Sequence, residues 1–147
     1  MSPQLTEFFD FLRIPSVSTD SKHRDDVRDC ADWLVNKFTS MGLKPELHET
    51  PGHPVVIARN EPKADRHTVM IDGHYDVQPV DPVDEWDTDP FEPTLKGDKI
   101  FCRGATDNKG QHFAHILGVE ETLKEHGDLP VNVIVLLEGE EEIGSPS

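Results

Sequence analysis

The stretch that most restricts the fold is LPVNVIVLLEG, residues 129–139. Its apolar run from Val133 to Leu137 is continuous rather than alternating. The segment therefore reads as a strand buried on both faces, as in a mixed or parallel α/β sheet. It is far too short to cross a bilayer as a helix. It passes directly into EGEEEIG (138–144), an abrupt change from apolar to acidic. A sheet with such a strand at its centre needs helices to cover it, and the chain has the patterns for them.

PQLTEFFDFLRI (3–14) carries Leu5, Phe8, Phe9 and Leu12 at helical spacing, with Pro3 in the first turn and Pro15 as the stop. After the polar SVSTDSKHRDD, Asp25 or Asp26 is placed to cap a second helix running to about Met41. Its apolar face is Val27, Cys30, Ala31, Leu34, Phe38 and Met41, and Gly42 ends it. LKPELHE, PVVIARN and HTVMIDG read as strands, the last with an apolar run, Val69 to Ile71, that suggests burial. VQPVDPVDEWDTDPFEP (77–93) is a loop, because its repeated prolines interrupt regular structure. Long ordered loops are often functional, and Trp86 and Phe91 are the side chains expected to anchor this one. LKGDKIFCRG reads as a hairpin turning at Gly97-Asp98. A third helix, from Asn108 to about His126, has Phe113, Ile116, Leu117, Val119 and Leu123 on one side, and Gly127 closes it. The expected class is α/β: a mixed, mostly parallel sheet with flanking helices in one layered domain.

At 147 residues the chain is long enough for one such core. Its 14 basic and 29 acidic residues leave a net charge of −15, which argues against nucleic acid and against anionic membrane surfaces as partners. Cys30 and Cys102 form no CxxC pair and read as two separate thiols, consistent with a reducing compartment. The opening MSPQLTEFFDFL lacks the basic flank and apolar core of a signal peptide. A soluble, cytoplasmic protein is expected. The close on EGEEEIGSPS, straight after a strong strand, suggests a fragment of a longer protein.

Functional groups in layered α/β sheets collect beyond strand ends, and three polar clusters fall there: GHYD (73–76), GATDNKG (104–110) and EGEEEIG. Each has an ordinary structural explanation. His74 and Asp76 alternate on an extended segment and can pair in a turn. Asp107 precedes a helix and can cap it. Glu138, Glu140, Glu141 and Glu142 can form a solvated loop. Three such exits in one domain point further, because gathered carboxylates repel unless a cation compensates them. Imidazole with carboxylate oxygen suits zinc or a related divalent ion. An additional glutamate beside the ligands can act as a general base on water.

In order along the chain, GHYDVQP, EWDTDPFEP, CRGATDNKG and EGEEEIGS resemble the N-terminal part of the co-catalytic two-zinc metallopeptidase family. That family includes carnosinase, cytosolic nonspecific dipeptidase, glutamate carboxypeptidase, aminoacylase, acetylornithine deacetylase and succinyl-diaminopimelate desuccinylase. The resemblance spans the chain from PSVS (15–18) to its last residues. It implies two Zn2+ ions, with Co2+ or Mn2+ as alternatives. It implies His74, Asp107 and Glu142 as metal ligands, Asp107 bridging both ions. It implies Asp76 as the residue that orients His74, and Glu141 as the base that takes a proton from a metal-bridging water and passes it to the leaving amine. It also implies a cis peptide between Asp107 and Asn108. The pattern E-G-x-E-E-x-G-S leaves Glu140 at its variable position and Glu138 outside the site; a register one residue earlier would select Glu140 and Glu141 but put Gly144-Ser145 out of step.

Tyr75 and the acidic loop after it resemble the dipeptidase branch, so the expected reaction is hydrolysis of an amide or peptide bond in a short peptide. N-acyl amino acid deacylation, of the acetylornithine or desuccinylase type, is the alternative. An inactive homologue or a truncated metal-binding fragment is the non-catalytic one. The resemblance further implies a downstream acidic ligand, a histidine near the far C-terminus, and a lid domain used for homodimerisation. Residues 1–147 would then be the N-terminal part of the catalytic domain, incomplete and inactive by themselves. His23, His48, His53, His67 and His126 have no acid at useful spacing and read as surface or core residues. His112 and His115 follow Asp107 on its helix and are candidates to support the ligands.

Overall fold

A computed structural model describes residues 1–147. Three helices, α1 (Pro3–Leu12), α2 (Arg24–Ser40) and α3 (Lys109–His126), accompany a four-stranded sheet and a separate hairpin. The sheet strands are β1 (Lys44–His48), β2 (Val55–Arg59), β3 (Thr68–His74) and β6 (Asn132–Glu138); the hairpin is β4 (Thr94–Lys96) and β5 (Lys99–Phe101), turning at Gly97-Asp98 as expected. No helix is long and apolar enough to cross a membrane.

The helices form where the apolar spacing places them. Ser2 caps α1 by accepting the N–H of Leu5 at 3.2 Å, and Pro3 occupies the first turn, where its missing N–H costs nothing. Phe11, absent from the expected face, is fully buried and stacks on Trp33 with ring centroids 4.5 Å apart. The face of α2 buries Val27, Cys30, Ala31, Leu34 and Phe38. Its expected aspartate cap is displaced. Asp20 instead caps a short 3-10 turn leading into the helix, accepting from Lys22 N, and Asp26 pairs with His23 Nδ1 at 2.6 Å.

The sheet order is β1-β2-β6-β3. A mixed sheet with flanking helices agrees with the expected class, but its balance differs. β1–β2 and β2–β6 are antiparallel, and only β3–β6 is parallel, so the sheet is not mostly parallel. A short loop joins the antiparallel pair β1 and β2, whereas β3 reaches its parallel partner β6 through a long crossover that contains α3. One sheet face, with Val56, Ala58, Val133, Val135 and Leu137, packs against the helices in a single core. The alternate residues Ile134 and Leu136 are only half buried, so β6 is dry on one face rather than both. β3 lies at the sheet edge, and its apolar run is not buried: Val69 is 46% and Met70 62% exposed.

Candidate metal centre

The one parallel pairing creates the site. His74 and Glu138, the last residues of β3 and β6, lie side by side in register, so both strands deliver their following segments to the same sheet end. Beyond β3 come Tyr75 and Asp76; beyond β6, Gly139 and Glu140 lead into a single 3-10 turn, Glu141–Ile143. The start of α3 contributes the third element.

His74, Asp107 and Glu142 converge there, each offering a ligand atom within 4.8 Å of the others. His74 Nε2 lies 3.2 Å from Asp107 Oδ1 and 3.7 Å from Glu141 Oε2. Asp107 does not cap α3. Its side chain is 73% exposed and faces the histidine, and Asn108 occupies the cap position without a side-chain capping bond. The Asp107–Asn108 peptide is cis, as the resemblance implied, and so is Asp81–Pro82. Glu140 takes no part in the cluster, because its side chain is buried in the opposite direction.

Asp76, fully buried, organises the centre. His74 Nδ1 lies 3.0 Å from the Asp76 carbonyl oxygen and 3.3 Å from its Oδ1. Both are acceptors, so Nδ1 carries a hydrogen and Nε2 is the nitrogen left to bind a cation. The same carboxylate accepts the backbone N–H of Glu141 at Oδ1 (3.2 Å) and of Glu142 at Oδ2 (3.1 Å). Burial pulls the His74 pKa down, but hydrogen bonds and charge from Asp76, with Glu141 beside it, outweigh that and raise it to about 9.

Three supporting residues carried no signal of their own in the sequence. Asn108 Oδ1 accepts the His74 N–H at 3.3 Å, and a Cβ on Gly73 would crowd that oxygen, so a glycine is needed before His74. Gln78 Nε2 donates to Glu142 at 2.7 Å. Lys109, fully buried, donates to the carbonyls of Phe11 and Ile14 and so ties the start of α3 to the end of α1. Only their place inside the GHYDVQP and GATDNKG motifs could have marked them. Of the two histidines proposed as supports, His112 donates from Nε2 to the His74 carbonyl at 3.0 Å, whereas His115 makes no such contact. Burial lowers the His112 pKa to about 3, against the pull of that hydrogen bond, so it stays neutral. Trp86 and Phe91 are half buried, and Trp86 Nε1 donates to Val80 O at 2.9 Å within the loop they anchor.

One imidazole nitrogen and two carboxylates, open to solvent on the Asp107 side, form a donor set suited to zinc. Fold and site together define the class: an α/β domain with a cluster of side chains able to hold a metal ion beyond its parallel strand ends. Residues 70–147 match the model described as Peptidase family M20/M25/M40, and the chain belongs to that family. It is 40% identical to the Cys-Gly metallodipeptidase dug1 of Schizosaccharomyces pombe, over 91% of this chain and 30% of that protein. Among solved structures it is similar to an M20 family metallo-carboxypeptidase from Sulfolobus solfataricus (41% identity, TM-score 0.89, 99% of this chain and 32% of that one). It is also similar to human carnosine dipeptidase 1 (30% identity, TM-score 0.92, 97% and 33%). The chain thus spans about a third of the length of these relatives.

Proposed function

We propose that the protein to which this chain belongs is a two-zinc metallopeptidase hydrolysing dipeptides. The observation that carries this reading is the convergence of His74, Asp107 and Glu142, with Glu141 beside them, in a chain related to metallodipeptidases. Bound zinc would supply Lewis acidity and lower the pKa of water at the site. Each side chain then has a task. His74 and Glu142 would hold metal from neighbouring strand exits, and Asp107 would reach between them from the segment just before α3. Asp76 keeps the His74 tautomer with Nε2 free. Glu141, more than half exposed at its side chain, takes the proton of the attacking water and returns it to the leaving amine.

On this reading residues 1–147 are the N-terminal part of the catalytic domain. The remaining ligands and a dimerising lid lie elsewhere in the protein, and Co2+ or Mn2+ can replace zinc. The free thiols Cys30 and Cys102 support a reducing, cytoplasmic location. The test is hydrolysis by the full-length protein, stripped of metal and reloaded with zinc, of Cys-Gly and β-Ala-His dipeptides beside N-acetyl and N-succinyl amino acids. Zinc-dependent turnover of the dipeptides is expected. Turnover of N-acyl substrates alone moves the protein to the deacylases, and no turnover of either refutes the proposal.

A further inference from the structure

Glu140, the residue at the variable position of the acidic motif, is only 4% exposed. We infer that it is a positioning residue that holds Glu141 and Glu142 at the metal centre, an inference resting on the functional reading above. The turn presenting those two glutamates is a single 3-10 turn, too short to hold its own shape. Asp76 clamps one side through the Glu141 and Glu142 N–H groups. Glu140 clamps the other. Its carbonyl accepts Ile143 N at 3.1 Å and Ser145 N at 2.8 Å, and its Oε1 accepts the backbone N–H of His53 at 3.0 Å.

The loop that receives the carboxylate, residues 50–54 between β1 and β2, is itself braced. Thr50 Oγ1 donates to His53 O at 2.7 Å and accepts from Gly52 N at 3.1 Å. His53 Nε2 donates to Ser18 O at 3.1 Å, and the Tyr75 hydroxyl donates to Pro54 O. Gly52 completes the seat: a Cβ there would overlap Glu140 Oε1, and the three atoms nearest to it would all belong to that carboxylate. An apolar side chain would fill this space with less desolvation, so a glutamate is explained by the hydrogen bond it makes rather than by packing. Pinning the Glu140 side chain to a braced loop fixes its peptide, and through that peptide the direction in which the next two glutamates leave the strand.

The test uses the full-length protein, with Co2+ affinity by chelator competition and the visible Co2+ spectrum as readouts beside kcat and KM. Glu140→Ala is expected to weaken Co2+ binding by about 10-fold or more, change the spectrum, and lower kcat more than KM. Glu140→Gln keeps an oxygen acceptor for His53 N and should stay within about 2-fold of wild type. Gly52→Ala should unseat the carboxylate from the loop side and reproduce the affinity loss. The double variant should be no worse than Glu140→Ala, because the carboxylate that the added methyl would overlap is then gone. Wild-type Co2+ affinity and spectrum in Gly52→Ala and in Glu140→Ala overturn the inference, as does a Glu140→Gln variant as weak as Glu140→Ala. If Glu140→Ala fails to fold, Gly52→Ala and Glu140→Gln decide. A wild-type protein that binds no Co2+ takes the functional reading down as well, whereas normal wild-type binding and turnover with unchanged variants removes only the role of Glu140.

Discussion

Asp76 Oδ2 accepts the backbone N–H of Glu142 at 3.1 Å, although the two lie 66 positions apart in the chain. The residue that orients His74 at the end of β3 therefore also fixes the acidic turn after β6. Loss of this one side chain disturbs both. Asp76→Ala is expected to weaken zinc affinity of the full-length protein by about 10- to 100-fold. Asp76→Asn, which keeps its size but presents an N–H₂ to one of the backbone N–H groups, should fall between the variant and wild type. Chelator competition measures both.

Glu141 lies beside His74 but is not one of the three side chains whose potential ligand atoms cluster. Glu141→Ala in the full-length protein should retain metal, measured by elemental analysis, while kcat falls by about 10²- to 10⁴-fold. Metal loss parallel to activity loss would make Glu141 a ligand and leave the base to another residue.

The two histidines of the site titrate in opposite senses. His74 in the metal-free protein keeps its proton to a pH of about 9, and zinc must displace that proton. Apparent zinc affinity should therefore rise about 10-fold per pH unit from 7 towards 9, as seen by titration with a competing chelator. For stability without metal, the raised His74 pKa contributes fully below its ordinary 6.5, and the contribution is lost as pH rises through about 9. His112 does the reverse: its folded pKa of about 3 lies below the ordinary 6.5, so its contribution is present above 6.5 and is lost as pH falls towards 3. Denaturant midpoints of the metal-free protein across pH 4–9 measure both limbs, and His112→Gln should flatten the acid limb alone.

Burial pushes the Cys102 thiol up to about 11 and also raises the fully buried Cys30. The thiolate is the reactive form. At pH 8, Cys102 should react with a disulfide reagent about 100-fold more slowly than a thiol at its ordinary value, Cys30 more slowly still. The Cys102 rate should climb until the pH approaches 11. In denaturant both should react at once.

Local features were read from the sequence because their causes are local. The α2 face of Val27, Cys30, Ala31, Leu34 and Phe38 follows from helical spacing, the β4–β5 hairpin from Gly97-Asp98, and the end of α3 from Gly127, which takes the left-handed conformation. His74, Asp107 and Glu142 were selected by motif, and the structure brings those three together. What the sequence misjudged depends on neighbours far along the chain. Val69 and Met70 look like core residues, but β3 has a partner on one side only. β6 looks dry on both faces, but the helices cover one.

The sequence by itself determined the helices, the strands and the chemistry of the ligand types, since propensity, spacing and donor identity belong to the residues. Tertiary structure decided which strands run parallel, and with that which exits meet. It sent Glu140 away into the 50–54 loop while its two neighbours face the histidine. The reason is physical: a carboxylate's role depends on which donors or cations surround it, and here those come from segments 65 to 87 residues away.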